Sequence, residues 1–535
     1  MRAAIVGGGI AGLATAALLA ADGHEVDLFE QQITVGGRAG SLSADGFRFD
    51  TGPSWYLMPE VFDHFFRLLG TSAEEQLDLR TLDPAYRVFF EGAPGESRPP
   101  RLDIGADTAD NVAAFEAIEP GAGEALSAYI ESARDAYDIA LRHFLYTNFT
   151  SPTALASSEI LRMLPRLLPL LTQSLEDFVG KRFSDVRLRQ VLGYPAVFLG
   201  SSPDRAPSLY HLMSALDLTG GVKYPQGGFT RLIEAIADLA VEHGAQIHTG
   251  ATVTAVSTRG TGRRRGQRAQ VTGLRWRDAN GTEHVHTADL VVGAGDLHHL
   301  ETQLIPDELQ TFPQTYWDKR QSGPGAVLVL LGVEGELPEL AHHSLFFTHD
   351  WQANFDAIFE GRVPAPASVY VCKPSETDPS VAPAGHENLF VLVPVPADPG
   401  LGHGGPSGQG SAAVEAVADA AIEQIATWAG VPDLADRVVV RHTIGPGDFA
   451  DDLSAWQGGM LGPSHTLRQS AMFRSRNRSR HIDGLYYAGS STIPGIGLPM
   501  CLISAQLVLK HLRGDTSSGP LPVPARPARL PEAVR

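Results

Sequence analysis

The chain has 535 residues, too many for one compact hydrophobic core, so two or three domain-sized units are expected. Its formal net charge is −19, from 42 basic and 61 acidic side chains. Nucleic-acid binding needs clustered lysine and arginine to neutralise phosphate, so this balance argues against a nucleic-acid partner.

Cysteine and histidine usage gives no sign of a disulfide framework or a metal site. Two cysteines are present, Cys372 and Cys501, which fits a reducing cytosol. The histidine pairs at 298–299 and 342–343 are adjacent in sequence. They lack the i, i+4 spacing that places two ligands on one face of a helix, so no metal site is predicted.

The first 30 residues predict a strand, a tight turn, a helix and a second strand. The stretch AAIVGGGIAGLATAALLAA (3–21) is long and apolar enough to resemble a signal peptide or a membrane span, yet four glycines interrupt it. The strand EVDLFE follows at once and ends in Glu30. This stretch is therefore predicted to begin a folded α/β domain.

The turn carries a G-x-G-x-x-G motif. In a strand-turn-helix unit, these glycines permit a tight turn, a close approach of the backbone to pyrophosphate, and close packing of helix on strand. The free N–H groups of the helix start favour phosphate. A carboxylate at the end of the second strand can accept hydrogen bonds from ribose hydroxyls and would repel the 2′-phosphate of NADP. The predicted dinucleotide-binding residues are Gly7, Gly9, Ile10, Ala11, Gly12 and Glu30.

Two further segments favour FAD over NAD. GGRAGS (36–41) and GFRFDTGP (46–53) follow the second strand, and Arg38 within the first can neutralise a pyrophosphate. The two segments resemble the FAD-binding fingerprint of the superfamily that contains flavin amine oxidases, GDP-dissociation inhibitors and carotenoid desaturases. The resemblance implies FAD as the cofactor, with contacts from Gly37, Arg38 and Ala39.

Two later segments extend the resemblance. YPQGGFTRLIEAIADLAVEHGAQIHTGATVTAVS (224–257) is similar to the family's return from the substrate domain to the FAD domain, and the resemblance places Val253 against adenine. GSSTIPGIGLPMCLISAQL (489–507) is similar to the last FAD-binding element of the family. The implied flavin contacts in this loop and helix start are Gly489, Ile496, Gly497 and Leu498.

The segments 197–212, 342–359, 369–396 and 458–477 closely resemble segments of bacterial phytoene desaturases, and the resemblance extends to about residue 513. It implies an α/β fold, in which a Rossmann-like FAD-binding domain of the GR2 type carries an inserted α+β substrate-binding domain. The proline-rich C-terminal end is expected to be disordered. The expected divisions are 1–85, 225–297 and 455–513 for the FAD domain, 86–224 and 298–454 for the substrate domain, and 514–535 for the tail.

The resemblance implies desaturation of a C40 carotenoid precursor, from phytoene to lycopene or to a partly desaturated intermediate. Side chains cannot accept hydride, so hydride would pass to the flavin and then its electrons to a quinone or oxygen. Within the same fold, the alternatives are a carotenoid isomerase, a ketolase or a desaturase of a different carotenoid. A prenyl-protein escort is disfavoured because the FAD glycines are intact, and an amine oxidase because no aromatic cage for an amine is evident.

No residue stands out as the catalytic base. Asp138 is the candidate in the substrate domain, and the alternative is a surface ion pair with Arg142 on the same helix. The apolar stretch 158–179, broken by Pro165 and Pro169, could line a tunnel for a long hydrocarbon, touch a bilayer or form core helices. Because such a substrate resides in membranes, peripheral contact with the inner face of the cell membrane is expected.

Overall fold

The computed structural model describes residues 1–92, 100–150, 158–260 and 268–524. Its strands are β1 (Arg2–Val6), β2 (Glu25–Phe29), β3 (Ser41–Ala44), β4 (Phe47–Asp50), β5 (Leu79–Thr81), β6 (Tyr86–Phe90), β7 (Arg101–Ile104), β8 (Lys223–Pro225), β9 (Gln246–His248), β10 (Thr252–Arg259), β11 (Ala269–Arg277), β12 (Glu283–Thr287), β13 (Leu290–Gly293), β14 (Gly325–Glu334), β15 (His343–Phe347), β16 (Val369–Cys372), β17 (His386–Val395), β18 (Val438–Ile444), β19 (Ile482–Asp483) and β20 (Leu485–Tyr487).

The α-helices of the described ranges are interspersed with these strands, and seven of them follow one another between β7 and β8. They are α1 (Ile10–Ala21), α2 (Pro59–Leu68), α3 (Ala73–Gln76), α4 (Thr108–Ile118), α5 (Ala122–His143), α6 (Ser158–Thr172), α7 (Leu175–Gly180), α8 (Val186–Gly193), α9 (Pro195–Phe198), α10 (Ser214–Gly220), α11 (Phe229–Glu242), α12 (Leu297–Gln303), α13 (Gln314–Trp317), α14 (Trp351–Phe359), α15 (Ala412–Ala429), α16 (Pro446–Leu453) and α17 (Leu498–Arg513).

The first sheet is parallel and has the strand order β20-β13-β1-β2-β9. Its central strand β1 is apolar, and Ala3, Ala4 and Ile5 are fully buried. Helix α1 carries no charged side chain and is buried from Ile10 to Ala20, because it packs against both α11 and α17. This β-α-β unit confirms the strand, turn, helix and strand predicted for the first 30 residues. The predicted α/β class is also confirmed.

A second, largely antiparallel sheet has the order β10-β11-β12, with β19 added in parallel to β11. The basic stretch between β10 and β11 falls partly on residues 261–267, which lie outside the described part of the chain. In chain order, β10, β11 and β12 lie between β9 and β13, which both belong to the first sheet.

The third sheet has seven strands in the order β18-β14-β17-β16-β15-β6-β7. Its strands come from the two stretches assigned from the sequence to the substrate domain, although the domain boundaries stay a prediction. Along β14 the side chains alternate: Val327 and Val329 pack towards α15, whereas Leu328 on the opposite face lines a cavity. Burial on both faces explains why β14 is an uninterrupted apolar run.

The apolar stretch broken by prolines forms α6 with Pro165 and Pro169 inside it. Among its described side chains, Leu167 and Leu171 line the cavity and Leu168 is 56% exposed. In the described ranges, none of the helices combines the length and the apolar character needed to cross a bilayer.

The described part of the predicted tail folds back onto α17. The Nζ atom of Lys510, on the buried side of that helix, donates to the carbonyl oxygens of Tyr146 at 2.9 Å, Ser517 at 2.6 Å and Gly519 at 2.7 Å. Leu521 is 2% exposed. Leu521 and the carbonyl groups of Ser517 and Gly519 therefore contact α17, whereas several other residues of 514–524 are exposed. The disorder expected for the tail stays a prediction, and residues 525–535 lie outside the described part of the chain.

Replacing Lys510 by methionine should release this segment. The side chain would still fill its site, but three carbonyl groups would lose a charged donor, at a cost of about 2–4 kcal/mol in the free energy of unfolding. We expect a lower melting temperature and rapid proteolytic cleavage within 514–524. Lys181→Met, at an exposed position, is the control. Equal melting and cleavage in the two variants would contradict the role of Lys510.

Candidate functional site

A cavity of about 670 Å³ runs between the first sheet and the third sheet. One end is formed by backbone at the carboxyl ends of β1 and β2, together with the loop that precedes α17. The other end is formed by apolar side chains of the substrate segments. Aromatic groups at that end include Tyr194, Phe198, Phe347, Trp351, Phe355 and Tyr370.

The G-x-G-x-x-G turn forms the polar end of the cavity. Gly7 has φ +103°, and a Cβ atom there would lie 2.8 Å from the backbone nitrogen of Gly295. A Cβ atom at Gly12 would lie 1.9 Å from the carbonyl oxygen of Gly7, so only glycine permits this approach of helix to strand. Gly7, Gly9, Ile10 and Ala11 line the cavity, whereas Gly12 packs behind it.

The start of α1 supplies free N–H groups to this end. Gly9 is the N-cap residue, and its position lacks a side-chain capping bond. The backbone N–H groups of the first helical turn therefore remain available to an anion in the cavity, and the helix dipole favours negative charge there. This is the arrangement that a pyrophosphate requires.

Glu30 lies at the end of β2, is 7% exposed and lines the cavity. Its Oε2 atom accepts the N–H of Gly8 at 2.6 Å, and its Oε1 atom accepts the N–H of Gln32 at 2.8 Å. These bonds hold the carboxylate in place, and each oxygen retains a lone pair for a ribose hydroxyl. Val253 on β10 lines the same end, which fits its predicted place at the adenine.

Arg38 carries an unsatisfied donor beside the phosphate-binding turn. Its guanidinium lies 3.8 Å from Asp296 and donates to the carbonyl of Gly459 at 3.5 Å. The Nε atom is buried and has no hydrogen-bond partner among the described residues. Gly37 and Ala39 line the cavity on either side of Arg38. A buried, orphaned cationic donor at this position fits a pyrophosphate, so the residues present suit FAD.

The loop before α17 forms the facing wall. Gly489 donates its N–H to Ser504 Oγ at 2.8 Å, and a Cβ atom at Gly489 would lie 3.6 Å from the Cβ of Ala11. Gly497 is the N-cap residue of α17 and also lacks a side-chain cap. Gly489, Ile496, Gly497 and Leu498 all line the cavity, so the two predicted binding elements meet there.

Arg474 holds this loop, and sequence reasoning missed it. The side chain is buried, and its guanidinium donates to the carbonyls of Ser490, Thr492, Pro463 and Gln469. Burial lowers the pKa of Arg474 to about 10. The partners are backbone carbonyls of two segments on either side of Arg474, so no side-chain pattern in the sequence marks this arginine.

Asp138 does not reach the cavity. Its side chain is 61% exposed and lies 3.5 Å from Arg142. The neighbouring Tyr137, Ile139 and Ala140 do line the cavity. Because successive helical residues point about 100° apart, Asp138 falls on the outer face of α5. The surface ion pair, weighed as the alternative, is what the structure shows.

A tyrosine–histidine pair lies where the loop meets the apolar end, and the sequence did not indicate it. The Ile496 N–H donates to His465 Nε2 at 3.3 Å, so the ring proton lies on Nδ1 and is donated to the Tyr210 hydroxyl at 2.6 Å. Both side chains line the cavity. Burial holds the pKa of His465 well below its usual value, so the imidazole is neutral. The two residues are 255 positions apart, which explains why spacing gave no signal.

Comparison with known proteins agrees with this geometry. A family model described as flavin containing amine oxidoreductase matches residues 10–508. The carotenoid 3,4-desaturase of Haloarcula japonica is 40% identical over 512 residues, covering 96% of this chain and 98% of the relative. The zeta-carotene-forming phytoene desaturase of Myxococcus xanthus is 34% identical over 514 residues, covering 96% of this chain and 93% of the relative.

A solved structure supports the fold. The crystal structure of an oxidoreductase from Methanosarcina mazei aligns with a TM-score of 0.61 and 17% identity, covering 95% of this chain and all of that chain. The predicted family resemblance and the predicted FAD cofactor are confirmed. The chain belongs to the flavin-containing amine oxidoreductase family and is an FAD-dependent oxidoreductase.

Proposed function

We propose that this chain desaturates a C40 carotenoid precursor, with phytoene as substrate and lycopene or a partly desaturated intermediate as product. The observation that carries the proposal is the apolar end of the cavity, which continues from the predicted flavin position into the substrate segments. A hydrocarbon offers no charge and almost no hydrogen bonds, so it needs a site of this kind. The names of the two relatives support the same reaction class.

A second candidate is desaturation of a different carotenoid. The relative named as a carotenoid 3,4-desaturase is 40% identical, against 34% for the relative named as a phytoene desaturase. Both candidates use the same cofactor and the same cavity. They differ in which carbons of the chain are held at the flavin, and therefore in how far the substrate enters the apolar end.

The residues around the cavity would have separate roles in binding the cofactor and positioning the substrate. Bound FAD supplies the two-electron acceptor that side chains lack. The first turn of α1 and Arg38 would hold its pyrophosphate, Glu30 its ribose, and the 489–498 loop its flavin. The aromatic side chains at the apolar end would position the substrate and exclude water. A quinone or oxygen would then take the electrons away.

We propose His465 as the acceptor of the proton that desaturation releases. Tyr210 fixes the tautomer by accepting from Nδ1, so the Nε2 lone pair points to the Ile496 N–H of the loop that lines the cavity. The hydrogen bond from the Ile496 N–H is long, at 3.3 Å, so the Nε2 lone pair is only weakly engaged by it. A base as weak as a buried imidazole is adequate if the reacting carbon develops positive charge as hydride departs.

The reaction class can be tested with the purified protein. We expect flavin absorption bands, and incubation with phytoene, FAD and a quinone should give pigments that absorb at longer wavelength. Conversion of a more desaturated carotenoid but not of phytoene would select the second candidate. The absence of flavin bands after FAD addition, or of new double bonds on either substrate, would contradict the proposal.

His465→Gln keeps a polar group but removes the proton acceptor. We expect kcat to fall by about 10²-fold or more while FAD stays bound. Because burial holds the pKa of His465 well below 6.5, the wild-type rate should be lost only as pH falls well below 6.5, when the imidazole becomes protonated, and the variant should lack this acid limb. Asp138→Asn is the control, since its side chain lies outside the cavity. A large loss in Asp138→Asn and none in His465→Gln would reverse the assignment.

The mouth of the cavity suggests how an apolar substrate enters. Leu467, Met472 and Phe473 line the cavity and are 43%, 40% and 55% exposed, respectively. The chain has a net charge of −19, yet exposed arginines are frequent here. Arg468 lies within the stretch 467–473, and Arg476, Arg478 and Arg480 follow it. We propose that this mouth contacts anionic lipid at the inner face of the cell membrane.

Liposome co-sedimentation tests the membrane contact. The double variant Met472→Ser and Phe473→Ser should bind vesicles of anionic phospholipid several-fold more weakly, because it loses the exposed apolar contact area. Val285→Ser is the matched control, since Val285 is 73% exposed on β12 and does not line the cavity. Equal lipid binding by the double variant and the control would count against this surface.

A further inference from the structure

A cluster of buried ligand-type side chains lies behind the wall of the cavity, where β15 pairs with β16. His343 is the register partner of Cys372 across the two strands, and His342 precedes His343. One ligand atom from each of the three lies within 4.8 Å of the others. His342, His343 and Cys372 are 3%, 0% and 3% exposed.

Both imidazoles are held through Nδ1. His342 Nδ1 lies 2.8 Å from Thr377 Oγ1, and His343 Nδ1 lies 2.8 Å from the Tyr370 hydroxyl. When Nδ1–H is donated to a hydroxyl oxygen, Nε2 keeps its lone pair. This is the arrangement in which a histidine binds a metal through one nitrogen and is oriented through the other.

The two Nε2 atoms are buried and have no partner within the described part of the chain. An unpaired buried polar atom destabilises the folded state, and two in one cluster indicate a missing partner. The rings lie 4.6 Å apart between centroids, and one ring nitrogen of each histidine lies within 4.8 Å of the other and of Cys372 Sγ. The Cys372 thiol completes the set.

The donor types limit what this partner can be. Two imidazole nitrogens and one sulfur suit borderline and soft cations, whereas Mg²⁺ and Ca²⁺ prefer oxygen. Negative charge is available nearby: the carboxylate of Asp378 acts on His342 and that of Asp50 on Cys372. The ammonium of Lys373 opposes a cation, but it is engaged by the carbonyl of Leu337 at 2.8 Å and by Glu376.

We propose that His342, His343 and Cys372 form a binding site for Zn²⁺ or Cu⁺. The thiol proton leaves on binding, and the sulfur becomes a thiolate ligand. The site ties β15 to β16 directly behind Trp55, which stacks on His343 at 4.6 Å and lines the cavity. The ion therefore acts as a structural clamp for the substrate wall, separate from the flavin chemistry.

The test measures metal in the tag-free, FAD-containing protein. Elemental analysis for zinc and copper should give about one equivalent per chain in the wild type and less than about a tenth in Cys372→Ala or His343→Asn. Cys501→Ala, which removes the other buried thiol, is the control and should keep the metal. X-ray absorption at the edge of the bound metal should show sulfur at about 2.3 Å and nitrogen at about 2.0 Å.

Chelation of the wild type keeps the proposal testable if the variants fail to fold. Removing the ion should lower the melting temperature, and adding Zn²⁺ or Cu⁺ should restore it. The proposal fails if neither metal is present as isolated or after loading, which would leave water as the partner of the two nitrogens. It also fails if Cys372→Ala retains as much metal as the control. Flavin content and pigment formation are measured separately, so either result is independent of the proposed reaction.

Discussion

The parallel pairing of β1 with β2 and β13 determines where the cofactor-facing groups lie. Each strand of this sheet ends on the same edge, so the residues that follow β1, β2 and β20 converge there: Gly7, Glu30 and Gly489. The close contacts at Gly7 and Gly12 depend on the same pairing. Gly7 lies against Gly295, which follows β13, and Gly12 brings α1 close to the end of β1. Disrupting it would separate the phosphate-binding turn from the flavin loop.

The apolar half of the site depends on a different constraint: the polar groups buried beside it must have hydrogen-bond partners. Arg474 connects the flavin loop to the segment that bears His465, because one guanidinium donates to carbonyls on both. One buried guanidinium thus satisfies carbonyl groups of both segments. A hydrocarbon site beside a charged cofactor site is possible because these polar groups are paired inside the walls.

The cofactor end was predictable from sequence because its signals are local. The glycine spacing, Glu30 and the 489–498 segment each act within a few residues of a strand end, and all of their predicted residues except Gly12 line the cavity. The sequence does not show which face of α5 points to the cavity, so it could not distinguish Asp138 from the cavity-lining residues beside it. His465 pairs with Tyr210, 255 positions away, and Arg474 bonds backbone carbonyls that no sequence pattern marks. In the proposed metal site, strand pairing brings Cys372 to the adjacent His342 and His343. Such contacts follow from the tertiary fold and have no spacing rule.

The same strand order has a consequence for biosynthesis. β1 leaves the ribosome first, but β13 begins only at Leu290 and β20 at Leu485. At about 5–20 residues per second, roughly 25–100 s pass before the last strand of this sheet is available. During that time the apolar strand–helix unit at the N-terminus has unpaired edges and requires protection from aggregation. The strand that completes the cofactor-facing edge of the sheet, and Gly489 beyond it, are therefore synthesised late.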